Sequence, residues 1–469
     1  MTRPAACARR WRRSSNASLF FEKLGASIMY VASKLPKNNG SSGWAEMLPR
    51  RVGYAALETA VIADIVIIGG GFAGLSAARQ IVRQDPTIKV IILEAGLVGD
   101  GASGRNSGFI IDLPHEVSSE GLGGGSLDRA RRDIKLYRTA IDLGRELAEE
   151  HGWGREVFDP CGRYSVARGV QGDEHILSYG KQLDALGESY TLLNTREIGE
   201  ITGSPAYTSG MFMPGTVMIQ PADYVRRVAD AFREPVRVYE RTPALSLKKA
   251  SGSWAVKTPR GLVTAGKIIL ANNGHAQSFG FFKSQMLHVF TYASLTERFD
   301  PRRLPGQRTW AATPALPMGT TIRRISDGEA DRVLVRWRYT YNPSLTIGDA
   351  QVNSAGRVHD EKFLTRFPNL NGLRMEHRWG GPMALTWNSV PLFGEIESGI
   401  IAACACNGLG ASKSSAAGIA AADMALGLSS ELVKIMTAYD QPKQLPPQPF
   451  LTIGAKANMK FKELRAGDE

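Results

Sequence analysis

Cysteine is scarce in this chain: Cys7, Cys161, Cys404 and Cys406 are all that its 469 residues hold. Neither their number nor their spacing makes a disulfide framework or a zinc pattern, so no metal site is expected. Cys404 and Cys406, two apart, read as a same-face core pair on a strand. Long apolar runs are missing too. No stretch reaches the roughly 18 residues that a membrane-crossing helix needs, so no membrane span is expected. Acids are absent before Glu22, and this absence skews the charge. Ten of the 57 Lys and Arg but only two of the 45 Asp and Glu fall in residues 1–51, so +8 of the net +12 sits there. The body is nearly neutral and offers no electrostatic footprint for nucleic acid.

The Arg- and Ser-rich leader, residues 1–42, is expected to be disordered. It has the composition of a mitochondrial presequence, or else the start lies further down, with Met29 the favoured first residue. A cytoplasmic location is expected, or a mitochondrial one if the leader is a presequence. Leu19-Phe20-Phe21 is cut short by Glu22-Lys23, so a secretory signal is not expected.

A single strong constellation is present. Ile65-Val66-Ile67-Ile68 runs into Gly69-Gly70-Gly71-Phe72-Ala73-Gly74, and Lys89-Val90-Ile91-Ile92-Leu93 ends at Glu94-Ala95. This is a strand, a G-x-G-x-x-G turn, an amphipathic helix, a second strand and an acid. Gly69 permits the tight turn, Gly71 lets the backbone approach a pyrophosphate, and Gly74 lets the helix lie close on the strand with its N-terminus at the phosphates. Glu94, 20 residues after Gly74, falls where a βαβ unit places a carboxylate for ribose hydroxyls. The acid disfavours a 2′-phosphate, so the spacing points to FAD or NAD rather than NADP. Residues 121–125, the other glycine cluster, follow no apolar strand and read as a loop. With one dinucleotide site, the substrate itself is expected to reduce the cofactor.

Gly101-Ala102-Ser103-Gly104-Arg105-Asn106-Ser107-Gly108 follows the second strand directly. Further motifs are Gln220-Pro221-Ala222-Asp223-Tyr224-Val225, the run Ile268-Ile269-Leu270-Ala271-Asn272-Asn273-Gly274, and a C-terminal series. That series is Trp379-Gly380-Gly381, Pro391-Leu392-Phe393-Gly394, Asn407-Gly408-Leu409-Gly410 and Ala416-Ala417-Gly418. Together, over roughly residues 43–428, these resemble the D-amino-acid-oxidase-like (DAO) superfamily of FAD-dependent amine oxidoreductases, in particular its gamma-glutamylputrescine, glycine and sarcosine oxidase types. The resemblance implies FAD as cofactor. It places the loop 101–108 beside the flavin ring and ribityl chain, Ala244 near the adenine, and Gly274 in the cofactor cradle. It also aims the helix after Gly408, Leu409 and Gly410, expected over 411–425, at the flavin's pyrimidine side. Met383 stands where some members tether FAD through cysteine, so the link here is expected to be non-covalent.

The fold class expected is α/β (α+β): a discontinuous Rossmann-like FAD domain (60–115, 206–275 and 376–428) with an antiparallel-sheet substrate domain (116–205 and 276–375), followed by a tail, 429–469. Ile134, Tyr137, Ile141 and Leu147 mark a helix face. On the strand 332–341 the two-residue period sets Arg336 and Arg338 on one face and Trp337, Tyr339 and Tyr341 on the other. One face offers a carboxylate clamp and the other an aromatic cage, unless they are simply a solvated and a packed face. Arg336, Tyr339, Trp379 and His115 are the substrate-site candidates. The reaction expected is oxidation of the CH–NH group of a small amine or amino acid by hydride transfer to flavin N5. Imine hydrolysis follows, with O2 or another carrier taking the electrons. A non-catalytic FAD-holding subunit remains the alternative from another class.

Overall fold

The computed structural model describes residues 28–114 and 124–469. Five parallel strands form the heart of the first sheet, in the spatial order Val236–Tyr239, Val90–Leu93, Ala60–Ile68, Leu262–Leu270 and Ile400–Cys404. Their apolar runs are continuous because both faces are covered. On one face lie the helices Phe72–Gln84, Gly124–His151, Pro221–Asp230 and Ser415–Ala425. Tyr137, Ile141 and Leu147 are buried there, and Ile134 of the same helix is buried against Leu113, Ile176 and Tyr179 instead, so all four are covered as their helical period predicts. Over the other face curls an antiparallel meander, Ser246–Ala250, Ser253–Lys257 and the first half of Leu262–Leu270. It packs Leu247 and Trp254 on Val66, Ile68, Ile91 and Leu93.

Met29–Val31 extends this meander as an antiparallel edge strand beside Ser246–Ala250. Tyr30 packs on Phe281, ring centroids 4.5 Å apart, and its hydroxyl donates to Glu397 at 3.0 Å. Of the leader expected over 1–42, residues 1–27 lie outside the described residues, and 28–42 are part of the folded body and not disordered: Met29–Val31 completes a sheet edge, Asn38 donates to Asp100 O and Ser42 to Gly104 O. A chain begun at Met29 is expected to melt with the full-length protein and hold the same flavin. One begun at Gly43 is expected to melt several degrees lower, and equal melting of the two shortened chains would contradict the role of the edge strand.

Eight strands make the second sheet, ordered Met375–Leu385, Leu287–Thr296, Asp331–Tyr341, Thr321–Ser326, Trp310–Pro314, Arg163–Ala167, Ser209–Met213 and Thr191–Asn194. All neighbours are antiparallel except Trp310–Pro314 beside Arg163–Ala167. Two strands depart from the segment boundaries read from sequence. Ser209–Met213 and Met375–Leu385 belong here, because the first pairs antiparallel with Thr191–Asn194 and Arg163–Ala167 and the second pairs along its whole length with Leu287–Thr296. The cofactor fold resumes after them, at Pro221–Asp230 and at Leu392–Glu397. A three-stranded sheet of Phe109–Ile110, Val217–Ile219 and Phe158–Asp159 lies where the chain passes between the two units.

Helix Asp349–Arg366 covers the outer face of the second sheet and buries His359. Its Nε2 donates to Trp337 O at 3.2 Å, which leaves Nδ1 to accept from the Ser294 hydroxyl at 2.7 Å. Burial pushes the imidazole down to about 4, as it does for His275 and His288. Between about pH 6.5 and 4 the unfolded chain binds protons that the folded chain refuses, so stability falls with pH across that window and is fully present above it. Melting temperature is expected to drop on acidification from pH 7 to 4. The drop should be shallower in His359→Gln, and identical slopes would remove His359 from the account.

Candidate functional site

The turn between Ala60–Ile68 and Phe72–Gln84 works only with glycine. Gly69 has φ +113°, and a Cβ on Gly74 would stand 1.9 Å from Gly69 O. Gly71 caps the helix with no side chain of its own. Its Cβ would meet Ser103 Oγ at 2.6 Å, and Ser103 Oγ accepts from Phe72 N at 3.0 Å. The helix N-terminus, with Ala73 in its first turn, thus faces the loop 101–108. Glu94 accepts from Gly70 N (2.9 Å) and Gly96 N (2.8 Å). Burial pushes its carboxyl above the ordinary range, while the Gly96 and Gly70 bonds pull it back. The segment leading to Ala244 runs alongside, with Thr242 N on Glu94 O and Arg241 N on Gly96 O, so Ala95 and Ala244 flank the same acid. Glu94→Ala is expected to weaken FAD by roughly 1–3 kcal/mol, read as a rise in Kd on titrating the apoprotein. An unchanged Kd would take Glu94 out of the cradle.

Sequence gave no sign of Glu240, whose buried carboxylate accepts from Tyr54 N (2.6 Å) and Val98 N (2.7 Å) and pairs with Arg51. It braces the strand end behind Glu94, and no motif marks it.

The loop 101–108 turns on a 3-10 helix, Ala102–Gly104. Asn106 holds it closed, donating from Nδ2 to Ser103 O (2.7 Å) and accepting from Gly108 N (2.8 Å). Arg105 is buried and donates to Asp100 O (2.7 Å), Gly380 O (3.1 Å) and Gly40 O. Arg105 thereby ties the loop to the second sheet and to residue 40, Asn106 closes the loop on itself, and the N–H and C=O of Gly108 are taken by Asn106 Oδ1 and Ile219 N. Gly108, at φ +81°, is pinned by Arg323, whose guanidinium donates to Ile219 O at 2.6 Å and lies 5.0 Å over the Trp44 ring. Trp379 has no open face: it is wholly buried beside Gly43, and its indole N–H donates to Arg105 O at 3.0 Å. As a substrate contact it is corrected to a brace of this loop.

The third side is built after Leu262–Leu270 and Ile400–Cys404. Asn273 Oδ1 accepts from Ala405 N (2.9 Å), and Asn407 Oδ1 from Thr386 N (2.8 Å). The strand ends at Cys404, so Cys404 and Cys406 do not share a strand face. Burial pushes the Cys404 thiol up to about 12. Gly408, at φ +88°, borders open space, and Gly410 begins a π-turn, Gly410–Ser414, before the α-helix Ser415–Ala425. The expected helix over 411–425 is thus wound more widely in its first turn. Ser412 Oγ donates to Ile111 O (2.6 Å), and a Cβ on Gly418 would stand 2.1 Å from Ala73 O. Leu409 and Gly410 therefore lie near the end of the loop segment and beside the fingerprint helix. Around Gly274 three buried polar atoms have no partner: Asn272 Oδ1, His275 Nδ1 and His288 Nδ1. A left-handed glycine turn with no room for a Cβ, and two adjacent helix starts whose own cap residues bond none of their N–H groups, fit the pyrophosphate of an adenine dinucleotide.

One face of the second sheet roofs this region. Thr291 pairs with Gly381, and a Cβ on Gly381 would stand 3.3 Å from Arg105 Cβ, so this face looks onto the loop 101–108. Register puts Thr321, Arg336, Ala293, Thr291, Tyr339, Val289 and Met383 on it. The strict alternation expected on 332–341 fails at Arg338, whose φ of +69° lies at a bulge. Tyr339 therefore shares a face with Arg336. Arg336 donates to the Tyr339 hydroxyl and lies 5.2 Å over its ring, whereas Arg338 lies over Trp337. Thr291 Oγ1 and Thr321 Oγ1, which no sequence pattern flagged, are buried without partners. His115 lies outside the described residues.

A parallel sheet with a glycine-turn cradle, roofed by a second sheet bearing polar side chains, is the architecture of a dinucleotide-dependent oxidoreductase. Residues 64–424 match the family described as FAD dependent oxidoreductase (DAO), and the chain belongs to that family. It is 25% identical over 378 residues to a probable oxidoreductase, OrdL, of Haemophilus influenzae, covering 78% of this chain and 83% of that one. It is 24% identical over 448 residues to the gamma-glutamylputrescine oxidoreductase of Escherichia coli (87% and 93% covered). Among solved structures, glycine oxidase from Geobacillus kaustophilus superposes with a TM-score of 0.66 at 18% identity, covering 81% of this chain and 99% of that one. The protein is an FAD-dependent enzyme. Among the described residues no helix is long and apolar enough to cross a membrane.

Proposed function

We propose that the chain oxidises the CH–NH group of an amine that carries a carboxylate, an amino acid or an N-substituted one. Arg336 carries this reading. It is half-buried on the face that looks toward the cofactor loop, its guanidinium has no acidic partner among the described residues, and the orphaned hydroxyls of Thr291 and Thr321 share its face. A partly desolvated arginine without an acid is poised for an anion, and its fork suits a carboxylate. Tyr339 holds the guanidinium in place. The relatives named for gamma-glutamylputrescine and for glycine support an amine or amino-acid substrate.

Bound FAD would supply the two-electron acceptor for the hydride of the carbon beside the nitrogen, the imine product would be hydrolysed by water, and O2 would take up the electrons as hydrogen peroxide. The chain's task is to hold the cofactor non-covalently through the cradle, with Gly69, Gly71, Gly74, Glu94 and Ser103 at its dinucleotide end. It orients the substrate through Arg336 and excludes water beneath the second sheet. The test is peroxide release across matched pairs of amino acids and their decarboxylated amines. Preference for the amino acids is expected, and preference for the carboxylate-free partners would place recognition on Tyr339 as an aromatic contact instead. Acid precipitation should release the flavin into the supernatant, because Met383 offers no thiolate; colour kept in the pellet would mean a covalent bond.

A further inference from the structure

Helix Phe450–Ala466 has two apolar faces where a helix docked at a protein surface needs one. Leu451, Ala455 and Met459 lie on the first and pack with Leu445 on Tyr341 and Leu287 of the second sheet, and Gln448 Nε2 donates to the Tyr341 hydroxyl at 3.1 Å. At 100° per residue, Phe450, Ile453, Ala457, Phe461 and Leu464 fall on the opposite side. Their four large side chains are 63–68% exposed. Exposed Lys456 and Lys460 border this stripe on one edge and Arg465 on the other, and the helix's one acid, Glu463, is half-buried toward the docked side.

That arrangement selects among occupants. A two-fold pairing with a second copy would bring cationic edges together, Lys456 and Lys460 against their counterparts or against Arg465, with the half-buried Glu463 of each helix the one acid to set against three cations. Residues 1–27 hold six cations and one acid, so the leader would be repelled from the stripe. An anionic lipid surface satisfies both features, since the apolar stripe enters the headgroup and acyl boundary while the flanking cations meet the lipid charges. We infer that the solvent-facing side of Phe450–Ala466 is a docking surface for an anionic membrane, with the helix lying in the interface and not crossing it. The base of the same helix rests on Tyr341, two residues beyond Tyr339, so membrane docking and the roof of the substrate region share one packed contact.

The test is co-sedimentation of the flavin-loaded full chain with vesicles of phosphatidylcholine alone or mixed with phosphatidylglycerol in equal parts. Binding to the mixed vesicles is expected to exceed binding to neutral ones by about tenfold or more. It should be lost in the double variant Phe450→Ser/Phe461→Ser and in Lys456→Glu/Lys460→Glu. All these side chains are exposed, so both variants should keep full flavin content and turnover in solution. Absence of binding, equal binding to both vesicle types, or binding that survives both double variants overturns the inference. So does a dimer in light scattering that Phe450→Ser/Phe461→Ser dissociates, which would make a second copy the occupant.

Discussion

Replacing Gly74 by alanine is expected to give protein that carries no flavin and is hard to obtain folded. The new Cβ would stand 1.9 Å from Gly69 O, a backbone atom of the turn itself. Nothing flexible is there to yield, so the helix must lift from the strand and carry its N-terminus away from the phosphates. Overpacking of this kind costs roughly 1–3 kcal/mol in stability, and displacement of the turn removes the cofactor's binding energy as well. Two other glycines calibrate the result. Gly101 borders open space and should accept alanine silently, and Gly70, whose Cβ would lie 3.2 Å from Glu94 Cβ and Val98 Cγ2, should show an intermediate effect. The readout is the ratio of flavin to protein absorbance after purification, alongside the melting temperature. A flavin-replete Gly74→Ala protein melting with the parent would contradict the tight turn.

Replacing Arg336 by alanine is expected to lower kcat/KM for a carboxylate-bearing substrate by roughly 30- to 1,000-fold, the usual cost of leaving a desolvated charge without its partner. Flavin content should not change, because Arg336 lies on the second sheet and makes no bond to the cradle. Arg336→Lys should recover part of the loss and leave a raised KM, since lysine keeps the charge and loses the fork. Arg338→Ala should be silent, as its guanidinium lies over Trp337 instead. Trp379→Phe should lower the melting temperature more than it alters KM, because its indole N–H bonds Arg105 O inside the core. An Arg336→Ala enzyme with parental kinetics would leave the carboxylate without a partner and sink the proposed clamp.

The cofactor fold was legible in the sequence because its constraints are local. A continuous apolar strand, glycines at fixed offsets and an acid after the second strand each have a physical necessity within some thirty residues, and the structure realises them at Gly69, Gly74 and Glu94. The parts misread depend on long-range pairing or on one irregular residue. Met375–Leu385 reads like a cofactor-domain segment until its partner Leu287–Thr296 is known. The two-residue period on Asp331–Tyr341 breaks at the Arg338 bulge, and that single break moves Tyr339 to the side of Arg336. Arg105, Asn106 and Trp379 were read as contacts because they sit in motifs beside the cofactor. The donors of Arg105 and Trp379 are consumed by backbone carbonyls far away in sequence, such as Gly40 O and Gly380 O for Arg105, which no local pattern records, and that of Asn106 closes its own loop on Ser103 O. Thr291 and Thr321 were invisible for the converse reason, since a threonine in a strand is ordinary until its hydroxyl is found buried and unpartnered.

Anaerobic addition of a candidate substrate to the purified yellow protein tests the central claim most directly. An FAD enzyme that takes electrons straight from an amine should lose its visible flavin absorbance in a single turnover with a carboxylate-bearing amine, release the deaminated product in equal amount, and regain its colour on admission of air with formation of hydrogen peroxide. A protein that stays yellow with every amine and amino acid, yet bleaches with a reduced nicotinamide cofactor, would contradict it.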